Sequence, residues 1–230
     1  MAEVDLDQAV RRADPDRWLA GRFIADREAR ADVIALYAYD HALSRAGRAA
    51  SNALVAEIRL TWWREVVDEI FAGKAVRAHP TAEGLAETIR RHSLPREPLE
   101  AMIDARIEVL EQKTLDAPAA DAWADAVGGS ATTLAARILD PAAKVHAAAP
   151  AGRVWGLVLL RRSGLATGVS PDRRLAEALE AAAVAARDLG PAAFPAVAHA
   201  TIARADLHSG HVSDLEKRWR LFWAVARGRL

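Results

Sequence analysis

The sequence predicts an all-α fold, a single-domain helical bundle spanning residues 1–230, and three observations support this prediction. Apolar residues recur at spacings of three and four along most of the chain, which is the period of an amphipathic helix. No segment alternates apolar and polar residues, and no Asn-Gly hairpin turn is present. The prolines that interrupt the pattern fall between predicted helices and not in long polar stretches, so we expect no domain boundary.

The first half of the chain predicts five helices, and Asp14 and Pro15 open the first as its N-cap and first helical residue. The clearest pattern is EIRLTWWREVVDEIF, residues 57–71, where Trp62 and Trp63 point in different directions because neighbouring helical residues lie about 100° apart. We therefore expect this helix to be packed on two sides, in the middle of the bundle. Its apolar stripe consists of Leu60, Trp62, Trp63, Val66, Val67, Ile70 and Phe71. The other predicted helices cover residues 27–46, 81–91 and 97–112.

The second half of the chain predicts four more helices. The first covers residues 119–139, and its Gly128-Gly129 pair should kink it or let another backbone approach closely. The next covers residues 151–165 and is apolar on most sides, so we expect it to be buried. Pro171 and Gly190 bound the third, and a capping box from Ser213 to Glu216 begins the last.

Composition excludes several classes of function. Lys and Arg total 31 and Asp and Glu also total 31, so only a local patch could attract nucleic acid or an anionic membrane. The chain has no cysteine, which excludes disulfides, thiolate nucleophiles and Cys-ligated metals. Its N-terminus lacks the basic and apolar regions of a secretory signal. We therefore expect a cytoplasmic protein, with peripheral contact at the inner face of the membrane as the alternative.

Three carboxylates, Glu65, Asp68 and Glu69, lie at positions i, i+3 and i+4 of the helix over residues 57–71. One interpretation is a magnesium site, because that metal takes oxygen ligands. The interpretation that we favour is a solvated face opposite the apolar stripe, which is usual for an amphipathic helix. No Gly-rich phosphate loop, GxSxG motif or HExxH motif is present.

The last predicted helix combines aromatic and basic residues. Trp219, Phe222 and Trp223 share one face, and residues 215–230 carry five cationic side chains and one acidic side chain, a net charge of plus four. This composition suits contact with a membrane surface or a protein partner. The alternative is a terminal helix that packs its aromatic face on the bundle. We expect the aromatic side chains to dock inward and the arginines to point outward, namely Arg218, Arg220, Arg227 and Arg229.

The segments ALYAYDHAL (residues 35–43), EIRLTWWREVV (57–67) and KRWRLFWAVARGRL (217–230) carry a family resemblance. Together with most of residues 16–165, they resemble the squalene/phytoene synthase family. The resemblance implies a bundle of the isoprenoid-synthase type around a central cavity. In active members of the family it also implies two aspartate-rich motifs on facing helices, whose carboxylates hold the magnesium that binds and ionises the substrate diphosphate.

This chain departs from that pattern at both motifs. The first should follow the YAY of residues 37–39 by about five positions, where residues 44–48 read SRAGR. The second should lie in the helix that begins near Gly152, and residues 152–164 also contain no carboxylate. These departures resemble a subgroup of the family that lacks the aspartates and is similar to the mitochondrial respiratory complex I assembly factor with a squalene/phytoene synthase domain.

The resemblance therefore implies a non-catalytic member of the family that assists assembly of a membrane-bound respiratory complex and needs no cofactor. One alternative is a prenyl-diphosphate transferase that uses Mg²⁺ and displaced ligands, drawn from Asp40, Glu65, Asp68 and Asp104. The other is a module that binds an isoprenoid or lipid without chemistry. No nucleic-acid partner is expected. The side chains that we expect at the cavity or its ligand are Tyr37, Asp40, His41, Arg45, Arg59, Trp63 and Asp104.

Overall fold

Twelve α-helices form most of the computed structural model, which describes residues 5–48, 52–163, 166–167, 171–209 and 212–230. They confirm the all-α prediction, and the predicted helices are present with boundaries shifted by a few residues. The helices are α1 (Leu6–Ala13), α2 (Pro15–Gly21), α3 (Arg27–Arg48), α4 (Ala53–Phe71), α5 (Pro80–His92), α6 (Arg96–Glu108), α7 (Ala117–Ala124), α8 (Ser130–Leu139), α9 (Ala149–Ser163), α10 (Pro171–Ala185), α11 (Ala200–Ser209) and α12 (Asp214–Arg227).

Three elements lie outside the sequence prediction: α1, α11 and a two-stranded parallel sheet. Strand β1 (Thr114–Leu115) pairs with β2 (Ala166–Thr167), and each strand is too short to show an alternating pattern in the sequence. Short 3₁₀ turns complete the chain at Val145–Ala147, Ala186–Asp188 and Phe194–Ala196. None of the helices that the structure describes has both the length and the apolar composition needed to cross a bilayer.

Helices α3 and α9 occupy the middle of the bundle. The first packs against α1, α4, α5, α6 and α8, and the second packs against α7, α8, α10 and α11. Helix α4 is packed on two sides, by α3 and α6, but the prediction that it lies in the middle is wrong. Leu54, Ile58 and Phe71 of α4 are exposed. Helical periodicity shows which residues share a face, but it does not show how many neighbours cover the helix.

Glycines bring two helical segments into backbone contact. A Cβ atom on Gly128 would lie 2.7 Å from the backbone nitrogen of Gly156, and one on Gly152 would lie 2.6 Å from the Cα atom of Gly129. Residues with a side chain cannot approach a backbone so closely without displacing it. A π-helical turn, Asp125–Gly129, joins α7 to α8 at this contact. The predicted close approach at the glycine pair is therefore confirmed.

The side chain of Trp63, on α4, packs against α3 and is 5% exposed. Its ring meets Tyr39 edge to face at 5.6 Å and His79 at 5.3 Å between centroids. Edge-to-face contacts add to the burial energy of an aromatic ring. The predicted inward orientation of Trp63 is confirmed, and the residue is part of the core.

We expect Trp63→Ala to lower the free energy of unfolding by about 3–5 kcal/mol, because it leaves a cavity in this core. Chemical denaturation of the two proteins measures the difference. Trp219→Ala is the matched control, since Trp219 is 61% exposed and should change stability by no more than about 0.5 kcal/mol. Equal effects of the two substitutions would contradict the placement of Trp63 in the core.

The expected inward docking of the α12 aromatic side chains is wrong, whereas the four arginines of this segment are exposed as expected. Leu221 and Ala224 are buried, whereas Leu215, Trp219, Phe222 and Trp223 are 78%, 61%, 47% and 38% exposed. The Lys217 ammonium lies 2.8 Å from the Asp16 carboxylate of α2. This ion pair holds the Leu221 face of α12 against the bundle. The face that carries Leu221 and Ala224 packs on the bundle, and the large aromatic side chains consequently lie on the outer side.

Candidate functional site

A cavity of about 540 Å³ opens where the C-terminal ends of α3, α6, α7 and α9 meet. Helix α3 provides Ser44 and Gly47, and α9 provides Leu160 and Ser163. The two segments in which the family resemblance implies aspartate-rich motifs thus contribute to one cavity. The described lining residues are Leu43, Ser44, Gly47, Arg106, Val109, Leu110, Lys113, Trp123, Leu159, Leu160 and Ser163.

The described lining of the cavity is apolar and cationic, and it contains no carboxylate. Its charged groups are Arg106 and Lys113, and its hydroxyl groups belong to Ser44 and Ser163. Trp123 contributes an indole whose Nε1–H is buried and has no hydrogen-bond partner in the described part of the chain.

A buried ionic network lies next to the cavity and includes its lining residue Arg106. The Asp40 carboxylate is 1% exposed and accepts hydrogen bonds from Arg17 and Arg106 through different oxygens. Arg17 also binds Asp14 of the preceding turn, and Arg106 donates to the Ser44 hydroxyl at 3.1 Å and to the carbonyl of Met102 at 2.7 Å. Each buried charge therefore has an opposite charge beside it, as burial of ions requires.

Electrostatics favour the charged form of Asp40 at the centre of this network. Burial acts to raise the pKa of Asp40, but the Arg17 and Arg106 guanidinium groups outweigh it and hold that pKa below its usual value. The Arg17 guanidinium lies 4.4 Å from the centroid of Tyr37 and 4.6 Å from that of Trp155, so two aromatic rings cover it. Burial, aided by Arg17, lowers the pKa of His199 to about 4, and its imidazole is neutral near neutral pH.

The structure brings together only some of the residues that the sequence predicts at the cavity. Tyr37 and Asp40 meet in the buried network, and Trp63 lies in the core against Tyr39. His41 is partly buried, Arg45 and Arg59 are exposed, and Asp104 forms an exposed ion pair with Arg64. None of the seven is among the described lining residues, which are contributed instead by residues farther along α3 and α6 and by α7 and α9.

The cavity does not fit the magnesium that the family resemblance implies. Magnesium needs several oxygen ligands, and the described lining offers hydroxyl groups beside two cations. The four carboxylates considered above as displaced metal ligands do not line the cavity, and each is paired with arginine. Asp40 is held by two arginines, and Glu65, Asp68 and Asp104 are paired with Arg77, Arg96 and Arg64. Within the described ranges no three His, Asp or Glu side chains converge as a metal site.

Two important residues, Arg17 and Arg106, are absent from the predicted set. Arg106 follows the buried residues Met102 and Ile103 at helical spacing, so a cation at a core position was the available signal. Arg17 lies three residues after the N-cap Asp14, in the first turn of α2. Neither pattern identifies Asp40 as the shared partner, because the partners are 23 and 66 residues away along the chain.

Solved structures of known proteins share the fold of this chain. The structure is similar to a crystal structure of a dehydrosqualene synthase in complex with ligand, with a TM-score of 0.79 and 14% identity over 96% of this chain and 94% of that one. It is also similar to squalene synthase HpnC from Alicyclobacillus acidocaldarius, with a TM-score of 0.60 and 15% identity over 97% and 93% of the two chains. These identities show a shared fold. No curated protein sequence matches significantly.

The family model described as squalene/phytoene synthase matches residues 10–227, nearly the whole chain. Its range includes the α3 and α9 segments that line the cavity. The chain belongs to the squalene/phytoene synthase family.

Proposed function

We propose that this protein is a non-catalytic member of the family that binds an isoprenoid or lipid-like chain in its cavity. The observation that carries the proposal is the cavity wall, whose described residues include Arg106 and Lys113 but no carboxylate. A diphosphate approaches carboxylates only through bridging metal ions, and those ions also stabilise the charge that forms on the leaving group. Without such ligands a bound diphosphate would not be ionised by metal.

The cavity keeps features that suit an apolar ligand with a polar head. Its volume of about 540 Å³ is within the usual range for small-molecule sites. Leu110, Leu159 and Leu160 provide an apolar surface for a hydrocarbon chain. Lys113 is exposed and makes no ion pair with any described residue, so its ammonium is available to an anionic or polar head group.

We expect no head-to-head condensation product when the purified protein is given farnesyl or geranylgeranyl diphosphate with Mg²⁺. Chromatography of the extracted products, against a boiled control, measures this. Turnover above the control that is lost on substitution of Glu65 or Asp68 would overturn the proposal and support the alternative, a prenyl-diphosphate transferase with displaced metal ligands. Membership of the family is compatible with either activity.

Ligand binding is tested separately with Gly47→Leu. A Cβ atom on Gly47 meets no heavy atom within 4 Å, so a leucine there should extend into the cavity without disturbing the fold. We expect farnesyl diphosphate to change the fluorescence of the wild type, in EDTA as well as in Mg²⁺, and binding to weaken at least tenfold in Gly47→Leu. Gly47→Ala, which adds one methyl group, is the matched control. Equal binding by Gly47→Leu, with an unchanged melting temperature, would exclude this cavity as the site.

A role in the assembly of a membrane-bound respiratory complex is the second proposal. It is supported by the lack of carboxylates at residues 44–48 and 152–164, the departure that this chain shares with the complex I assembly factor-like subgroup. Affinity purification from the native host, followed by identification of the copurifying proteins, tests it. Complex I subunits that are enriched over an untagged control would support the role, and their absence would contradict it.

A further inference from the structure

A groove of about 810 Å³, lined by apolar and charged side chains, runs between α2 and α12 on the outside of the bundle. We call it the aromatic groove, and its apolar lining residues are Trp18, Leu19, Phe23, Leu215, Trp219 and Phe222. Trp219, Phe222 and Trp223 contact one another, with centroid separations of 5.5 to 6.1 Å. Exposed aromatic residues in this number are unusual on a monomer and mark an interaction surface.

The orientation of the aromatic groove is imposed by the packing of α12. Leu221 and Ala224 are buried on the opposite side of the helix, and Lys217 is paired with Asp16 at 2.8 Å. Rotating α12 to bury Trp219 would expose Leu221 and separate this ion pair. The aromatic side chains are therefore held outward by the fold itself.

The edge of the aromatic groove is basic. Arg11, Arg22 and Arg218 line it, and in the described ranges of the chain none of the three forms an ion pair with a carboxylate. The guanidinium groups of Arg11 and Arg22 lie 5.0 Å and 5.7 Å from the centroid of Trp18. The acidic residue of the groove, Asp7, is engaged by Arg30 at 2.6 Å and by the Trp18 indole at 3.0 Å.

The four arginines predicted on α12 differ in their environments. Arg218 lies in the aromatic groove, and Arg227 lies 4.6 Å from the centroid of Trp223. Arg220 is paired with Glu216 at 2.7 Å, and the pair as a whole has little net charge with which to attract a partner. Arg229 is exposed beyond the end of the helix. The basic edge is therefore formed by α1, α2 and α12 together and not by α12 alone.

We propose that the aromatic groove is a peripheral binding surface for an anionic lipid bilayer. Tryptophan and phenylalanine side chains partition to the boundary between head groups and acyl chains, and adjacent arginines attract anionic head groups. This charge complementarity favours a lipid surface over an apolar protein helix, which would leave the arginines without partners. The proposal does not depend on a ligand in the cavity.

Sedimentation with vesicles tests the proposal. We expect the full chain to bind phosphatidylcholine vesicles that contain 30–40 mol% (about a third) phosphatidylglycerol and to bind pure phosphatidylcholine vesicles at least tenfold more weakly. Trp219→Ser with Phe222→Ser should weaken binding to the anionic vesicles about tenfold or more. Arg22→Gln with Arg218→Gln should weaken it by about fivefold per arginine at low salt. The effect of the arginine substitutions should shrink as salt rises, since exposed charges are screened over about 8 Å at physiological ionic strength.

Phe71→Ser is the matched control, because Phe71 is also an exposed aromatic residue but lies on α4, outside the aromatic groove. It should bind vesicles as the wild type does. No binding to anionic vesicles at low salt, or equal binding by the Trp219→Ser, Phe222→Ser variant, would overturn the proposal. A dimer in analytical ultracentrifugation that the same variant dissociates would also overturn it, and would assign the groove to a second copy of this chain.

Discussion

Asp40→Ala is expected to lower the free energy of unfolding by about 3–5 kcal/mol, because it leaves two buried arginines without their shared counterion. For a chain of this length the melting temperature should fall by about 2–4 °C for each kcal/mol. Asp104→Ala is the matched control. Its ion pair with Arg64 is largely exposed, with side-chain exposures of 56% and 35%, and its loss should cost less than about 1 kcal/mol.

The effect of Asp40 depends on pH in a defined direction. Its pKa is lower in the folded protein than the ordinary value of 3.8, so the stability that the carboxylate contributes is present above that value and is lost as the pH falls through the folded pKa. The difference between wild type and Asp40→Ala should therefore be constant from neutral pH down to about pH 5 and should narrow only below pH 4. An effect no larger than that of Asp104→Ala would contradict the buried ionic network.

Gly152→Ala is expected to destabilise the protein by about 3 kcal/mol or more, at the upper end of the cost of overpacking. The added Cβ atom would lie 2.6 Å from both the carbonyl carbon of Gly128 and the Cα atom of Gly129. Both are backbone atoms, so no side chain can rotate away, and α9 must move from the π-helical turn. Because α9 and this turn lie close to the middle of the bundle, the movement would disturb their other contacts.

Gly47→Ala is the matched control for this substitution. It lies within α3, and its added Cβ atom meets nothing within 4 Å. Alanine is favoured over glycine inside a helix by up to about 1 kcal/mol, so Gly47→Ala should leave stability unchanged or raise it. Thermal unfolding followed by circular dichroism measures both variants. A melting temperature of Gly152→Ala equal to that of the wild type would show that the two helical segments are not in backbone contact.

The local elements were accessible from the sequence because their causes are local. Asp14 and Pro15 begin α2, and the Ser213 hydroxyl accepts the backbone N–H of Glu216 at the start of α12, as their capping patterns predict. The glycine pair at residues 128–129 predicted a close backbone approach because no other residue permits one. The resemblance that begins in α2 indicated the family, which the family-model match over residues 10–227 confirms.

The sequence by itself determined most of the helices, the residues that share a helical face and the positions at which both aspartate-rich motifs are replaced. Only the tertiary structure decided which face each helix buries and which distant charges meet. Helical periodicity allows α12 to bury either its aromatic face or its Leu221 face. Packing against the bundle selected the Leu221 face. Asp40 likewise acquires its role only when α2 and α6 bring Arg17 and Arg106 to it, because buried charges are stable only where the fold supplies their partners.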